Sequence, residues 1–126
     1  MTTLVQVGLC WLAVGTLLGW PVAVLHLDPK ALRRVGIAHP RRLLQMHIDV
    51  VLMSLILIAV GAVVPDLPVW VAASLVVGAL VNPLLFLPLA FREAWSGTTA
   101  YRVGSLLSFA AMSVGTVGAA VVAITS

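Results

Sequence analysis

Three stretches of this chain, Met1 to Leu27, Leu67 to Phe91 and Val103 to Ser126, contain no Asp, Glu, Lys or Arg. Gaps of that length match the run of apolar residues that a helix needs to cross a bilayer. A fourth apolar run, Leu43 to Val64, is broken by one acid, Asp49. Charged residues make up 9% of the chain, against roughly 25% in a soluble domain. The four candidate spans together leave too little chain for a separate soluble domain. The expected fold is therefore all-α, an integral membrane four-helix antiparallel bundle forming a single domain over 1–126.

The spans are expected at 4–26, 43–64, 69–91 and 103–125, each 22 or 23 residues long. That is about 33 Å of helix, enough for a hydrocarbon core of about 30 Å. Helices are preferred over a barrel because the runs are apolar all round, without the period-two alternation of barrel strands. The turn Pro65-Asp66-Leu67-Pro68 permits only an antiparallel hairpin between the second and third spans. Met1 to Leu27 has no basic n-region, and Cys10 follows Leu9 where a lipoprotein-type site wants a small residue, so the segment is expected to be a retained span.

All seven Lys and Arg residues fall in two of the connections. Lys30, Arg33, Arg34, Arg41 and Arg42 lie between the first and second spans, and Arg92 and Arg102 between the third and fourth. The positive-inside rule then places both termini and the 65–68 turn outside, with the basic loop 27–42 in the cytoplasm. A multi-pass protein of the cell inner (plasma) membrane follows, with the lipid bilayer as its first partner. The segment Leu27 to Pro40 is either a solvated loop or a short interfacial helix starting near Asp28-Pro29, with Ala31, Leu32 and Val35 turned to lipid. Trp70 and Trp95, near span ends, are expected to be interfacial anchors.

Several functional classes drop out. The chain has no Gly-rich phosphate loop and no interleaved basic and aromatic surface for nucleic acid. Its single cysteine excludes internal disulfides and Cys-based metal sites. Gly15 and Gly19 in the first span, and the rows Gly104/Ser108 and Ala111/Gly115/Ala119 in the fourth, have the small-xxx-small spacing of helix contacts.

Chemistry is sought where ionisable or amide groups enter a span, because an acid at mid-membrane costs roughly 2.5 to 3.5 kcal/mol on insertion scales. Counting from Arg42, His47 lies about 7.5 Å and Asp49 about 10.5 Å along the second span. Two residues of helix turn about 200°, so the two side chains leave on nearly opposite faces and cannot form a dyad. His47 shares an apolar face with Leu43, Leu44, Val51, Ser54 and Ile58; it is either a ligand to a flat cofactor or a histidine satisfied by a carbonyl or hydroxyl. Asp49 shares its face with Gln45 and Met53 and is expected to find partners in Gln45 and Asn82. Pro83 and Pro88 each free a carbonyl four residues back, at Ala79 and Leu84, so that the Asn82-Pro83 site is either a binding notch or a kink held by the amide. His26 and His39 are expected at the membrane boundary.

The run His39-Pro40-Arg41-Arg42-Leu43-Leu44-Gln45-Met46-His47-Ile48-Asp49, followed by a long apolar stretch and by Gly78-Ala79-Leu80-Val81-Asn82-Pro83, resembles the small four-helix membrane proteins of the hydroxylaminobenzene mutase and styrene oxide isomerase group. The resemblance covers about residues 39 to 92. It implies a homotrimer with haem b between subunits, His47 as axial ligand to iron, and isomerisation of a small apolar epoxide or arylhydroxylamine without net redox change. Arg41 and Arg42 would then meet the propionates, and Asp49, Asn82 and Ser54 would be the catalytic candidates. Two positions depart from the isomerase pattern: Met53 stands where an Asn is expected, with Ser54 beside it, and an apolar residue near Leu80 replaces a Tyr. The competing expectations are a non-catalytic haem-binding redox or sensor subunit and a cofactor-free membrane interaction protein.

Overall fold

A computed structural model describes residues 2–125, and among them every regular element is helical. The order is α1 (Thr3–Leu17), α2 (Gly19–Leu27), α3 (Pro29–Arg34), α4 (Pro40–Val63), α5 (Val69–Leu84), α6 (Phe86–Phe91), a 3-10 turn Glu93–Gly97 and α7 (Thr99–Thr125). Four helical stretches are long and apolar enough to cross a membrane: Thr3–Leu27, Pro40–Val63, Val69–Phe91 and Thr99–Thr125. They contain the expected spans with small shifts. The second starts earlier, because Pro40 sits in the first turn, where its missing N–H costs nothing. Arg41 and Arg42 are accordingly helical rather than part of the loop.

Two of the stretches are broken at proline. Pro21 cannot donate to Leu17, and the first stretch is interrupted at Leu18 between α1 and α2. Pro88 likewise cannot donate to Leu84, and the third is interrupted at Leu85 between α5 and α6. Pro83 lies inside α5 without ending it.

Glycine decides which faces meet. As the first stretch advances through Val5, Gly8 and Gly15 of α1 to Gly19 of α2, its neighbours on α4 recede through Gly61, Ile58, Val50 and His47, so α1 and α4 are antiparallel. A Cβ at Gly8 would stand 2.8 Å from the Ile58 side chain, and one at Gly61 would stand 2.8 Å from Val5. The α5–α7 pair repeats the device, with Gly78 against the Met112 backbone and Gly115 against Leu75. The closest contacts differ from the rows expected from spacing alone. On α7 the buried seam is Ser108, Met112, Gly115 and Ala119; on α1, Gly8 and Gly15 are buried, while Gly19 at the start of α2 sits loosely, a Cβ there standing 3.6 Å from the His47 ring.

The assembly is an open row rather than a closed ring. α1 packs on α4, α4 on α5 and α6, and α5 on α7, while no packed interface joins α1 to α7 among the described residues. Leu57, Leu75, Val71 and Val50 are fully buried along the two central helices. Leu106, Leu107, Phe109 and Val117 on α7 stay exposed. Exposed apolar faces of that kind suit lipid or another copy of the chain.

The segment expected as either loop or interfacial helix contains α3. Its C-terminus is closed by Gly36 at φ 91°, a left-handed conformation favouring glycine, with Gly36 N–H donating to Arg33 and Ile37 N–H to Leu32. Leu32 is turned into the protein, not outward, while Val35 is exposed. His39 N–H donates to the Ala90 carbonyl at 2.9 Å, tying the start of α4 to α6.

Candidate functional site

His47 and Asp49 leave α4 on opposite sides, as their spacing requires. The His47 ring reaches α1, where Nδ1 lies 2.7 Å from the Gly15 carbonyl oxygen. A carbonyl can only accept, so Nδ1 carries the proton and Nε2 keeps the lone pair. Gly19 lies beside the ring with room to spare: a Cβ there would stand 3.6 Å from the imidazole. His47 remains half-buried.

On the other side of α4, a cleft of about 470 Å³ runs between α4, the α5–α6 break and the first turns of α7. Gln45, Ile48, Asp49 and Met53 come from α4, Asn82, Leu85 and Phe86 from around the break, and Tyr101, Ser105 and Phe109 from α7. Asp49, Gln45 and Asn82 thus share one site, but neither amide bonds the acid. Gln45 Oε1 accepts from Arg42 at 3.0 Å, and Asn82 Oδ1 accepts from the buried Ser108 hydroxyl at 2.8 Å. Among the described residues Asp49 has neither a hydrogen-bond nor an ion-pair partner in the chain, contrary to the pairing expected for it.

The remaining candidates divide by what holds them. Arg42 is engaged: it donates to Glu93 and Gln45, each at 3.0 Å. Arg41 is exposed and has no acidic partner among the described residues. Ser54 is fully buried, and its hydroxyl donates to Val50 four residues back at 2.6 Å, so it faces no open space. His26 bonds the Val22 carbonyl within its own helix, and His39 lies 3.7 Å from Glu93. No cluster of His, Cys, Asp or Glu among the described residues could hold a metal ion by itself.

The proline-freed carbonyl at Ala79 is not an open acceptor. Trp11 Nε1 donates to it at 2.9 Å from α1. Two polar cleft residues escaped the sequence reading, Tyr101 and Ser105. Tyr101 OH donates to the Leu85 carbonyl at 2.9 Å, across the interruption between α5 and α6. The available signal was the i, i+4, i+8 spacing of Tyr101, Ser105 and Phe109, but it begins before Arg102, where the fourth span was not expected to have started.

Fold and site together define an all-helical chain with four helices of membrane-crossing length, an anchored histidine on one face of α4 and an acid-bearing cleft on the other. No family model, curated protein or solved structure matches the chain.

Proposed function

We propose that the chain is a multi-pass protein of the plasma (inner) membrane, with both termini outside, that binds haem b through His47 in a homo-oligomer and isomerises a small apolar epoxide or arylhydroxylamine. The observation that carries this reading is the 2.7 Å contact of His47 Nδ1 with the Gly15 carbonyl. Histidines that bind metal characteristically donate the other ring N–H to a carbonyl or carboxylate, which orients the ring and raises its basicity. The donor set fits a porphyrin in part. Arg41, exposed and free of acidic partners among the described residues, would be the cation for a propionate; Arg42 is already held by Glu93 and Gln45.

Bound there, haem iron would supply a Lewis acid for the epoxide or N–O oxygen. What the chain's own residues contribute depends on assembly. Asp49 and Asn82 stand across α4 from His47, so within one copy they cannot reach a group held on Nε2. They would act on a ligand bound by a neighbouring copy, which is why the reading includes an oligomer, a trimer by the resemblance. Ser54, buried and bonded to Val50, contributes packing.

Absorption spectroscopy of protein expressed with ample haem tests the proposal. Wild type should show a Soret band, His47→Ala should lose or strongly shift it, and His26→Ala and His39→Ala should leave it nearly unchanged. Colourless wild-type protein would overturn the haem reading and leave His47 as a structural histidine satisfied by Gly15. The separation of His47 from Asp49 and Asn82 favours one second reading, a non-catalytic haem-binding redox or sensor subunit. Product analysis with small aryl epoxides and arylhydroxylamines distinguishes the two.

A further inference from the structure

The cleft on the far side of α4 contains one charged side chain, Asp49, and no described residue offers it a cation. The ion pairs among the described residues both involve Glu93, and Arg42, two turns before Asp49, points its guanidinium there and at Gln45. The amide oxygens of Gln45 and Asn82 accept from Arg42 and Ser108, and the Tyr101 hydroxyl donates to Leu85, so among the polar neighbours the Ser105 hydroxyl and the two amide NH2 groups remain available to a ligand. The rest of the lining is apolar or aromatic, with Ile48, Met53, Leu85, Phe86 and Phe109. Ile48 and Phe109 at its edge are 49% and 69% exposed, so the cleft opens sideways, away from the helical row.

An unpaired carboxylate in apolar surroundings either takes up a proton or is stabilised by a positive charge beside it. A hard metal ion does not suit the site, because such ions take about six or more oxygen ligands and the cleft contains one carboxylate. Aromatic faces attract organic cations through the ring quadrupole, and three aromatic side chains, Phe86, Tyr101 and Phe109, line this wall. We propose that the Asp49 cleft binds a small aryl-alkyl ammonium ion, with the carboxylate as counter-charge, the aromatic side chains around the ammonium head and the apolar wall around the aryl group. The inference does not depend on haem, since His47 faces α1 on the opposite side.

Equilibrium dialysis of radiolabelled benzyltrimethylammonium against the detergent-purified full chain tests it, with neopentylbenzene, its uncharged isostere, as competitor. Saturable binding is expected, weakened more than about thirtyfold in Asp49→Asn by loss of the counter-charge and by about tenfold or less in Phe109→Leu by loss of one aromatic face. Helix content and elution volume should match wild type in both variants. Phe109 is exposed, so its variant reports on the site even if Asp49→Asn fails to fold. The proposal is overturned by absent saturable binding to wild type, by equal binding to either folded variant, or by neopentylbenzene competing as well as the cation. The last outcome would identify a site for neutral aryl compounds.

Discussion

Trp11 donates its indole N–H to the carbonyl of Ala79, the acceptor that Pro83 deprives of its helical partner. A proline inside a helix removes one hydrogen bond and leaves a carbonyl that water cannot reach in an apolar setting. The indole supplies the replacement from a different helix, so this one bond both repairs α5 and ties α1 to it. Trp11→Phe retains the ring and deletes the donor. It should lower stability by about 1–3 kcal/mol, the range for an orphaned buried acceptor, and a fall in the detergent unfolding midpoint checks this. An unchanged midpoint would mean that the carbonyl finds another donor. Tyr101 bonds the carbonyl of Leu85, one residue beyond the acceptor that Pro88 frees at Leu84, where α5 gives way to α6. The Trp11 repair was hidden at the level of sequence: proline announces a freed carbonyl, but the donor comes from a residue 68 positions away.

Between helices, the contacts depend on missing side chains. A Cβ at Gly78 would lie 2.8 Å from Met112 N and 2.9 Å from its Cα, and backbone atoms cannot swing aside as a side chain can. Gly78→Ala is therefore expected to force α5 from α7 and cost about 1–3 kcal/mol. Gly104→Ala, on α7 with its nearest neighbour 4.0 Å away, should be neutral or stabilising by up to about 1 kcal/mol through helix propensity. Unfolding midpoints of the two variants decide the matter; equal effects would remove close packing as the basis of the α5–α7 pair. Spacing alone pointed to Gly15 and Gly19 in the first span, of which only Gly15 is tightly packed. Small-xxx-small rows mark faces able to pack, and the partner's shape determines which of them do.

For the whole molecule, the distribution of Lys and Arg gives a direct test of the proposed orientation. Reporter fusions after Ser126 and within the Pro65 to Pro68 turn should report the outside, and one near Gly97 the cytoplasm; a cytoplasmic C-terminus would refute the arrangement. The open row of helices also leaves α7 with an apolar face on the side away from α5. Apolar length by itself determined that there would be four long helices and where they would lie, because an apolar stretch of that length satisfies its backbone most simply as helix. Pro21 and Pro88 mark where two of those helices break, whereas Pro83 lies inside α5 without ending it. Helix pairing, by contrast, was decided only in three dimensions. Helices apolar on every face give hydrophobicity no way to choose a face, so the choice passes to shape, at Gly8, Gly61, Gly78 and Gly115. The separation of His47 from Asp49 followed from helical pitch, which is local. The cleft that Asp49 enters did not, because it exists only at the register that sets Tyr101, Ser105 and Phe109 of α7 beside Asn82 and α4, and that register is a property of packed surfaces rather than of any single helix.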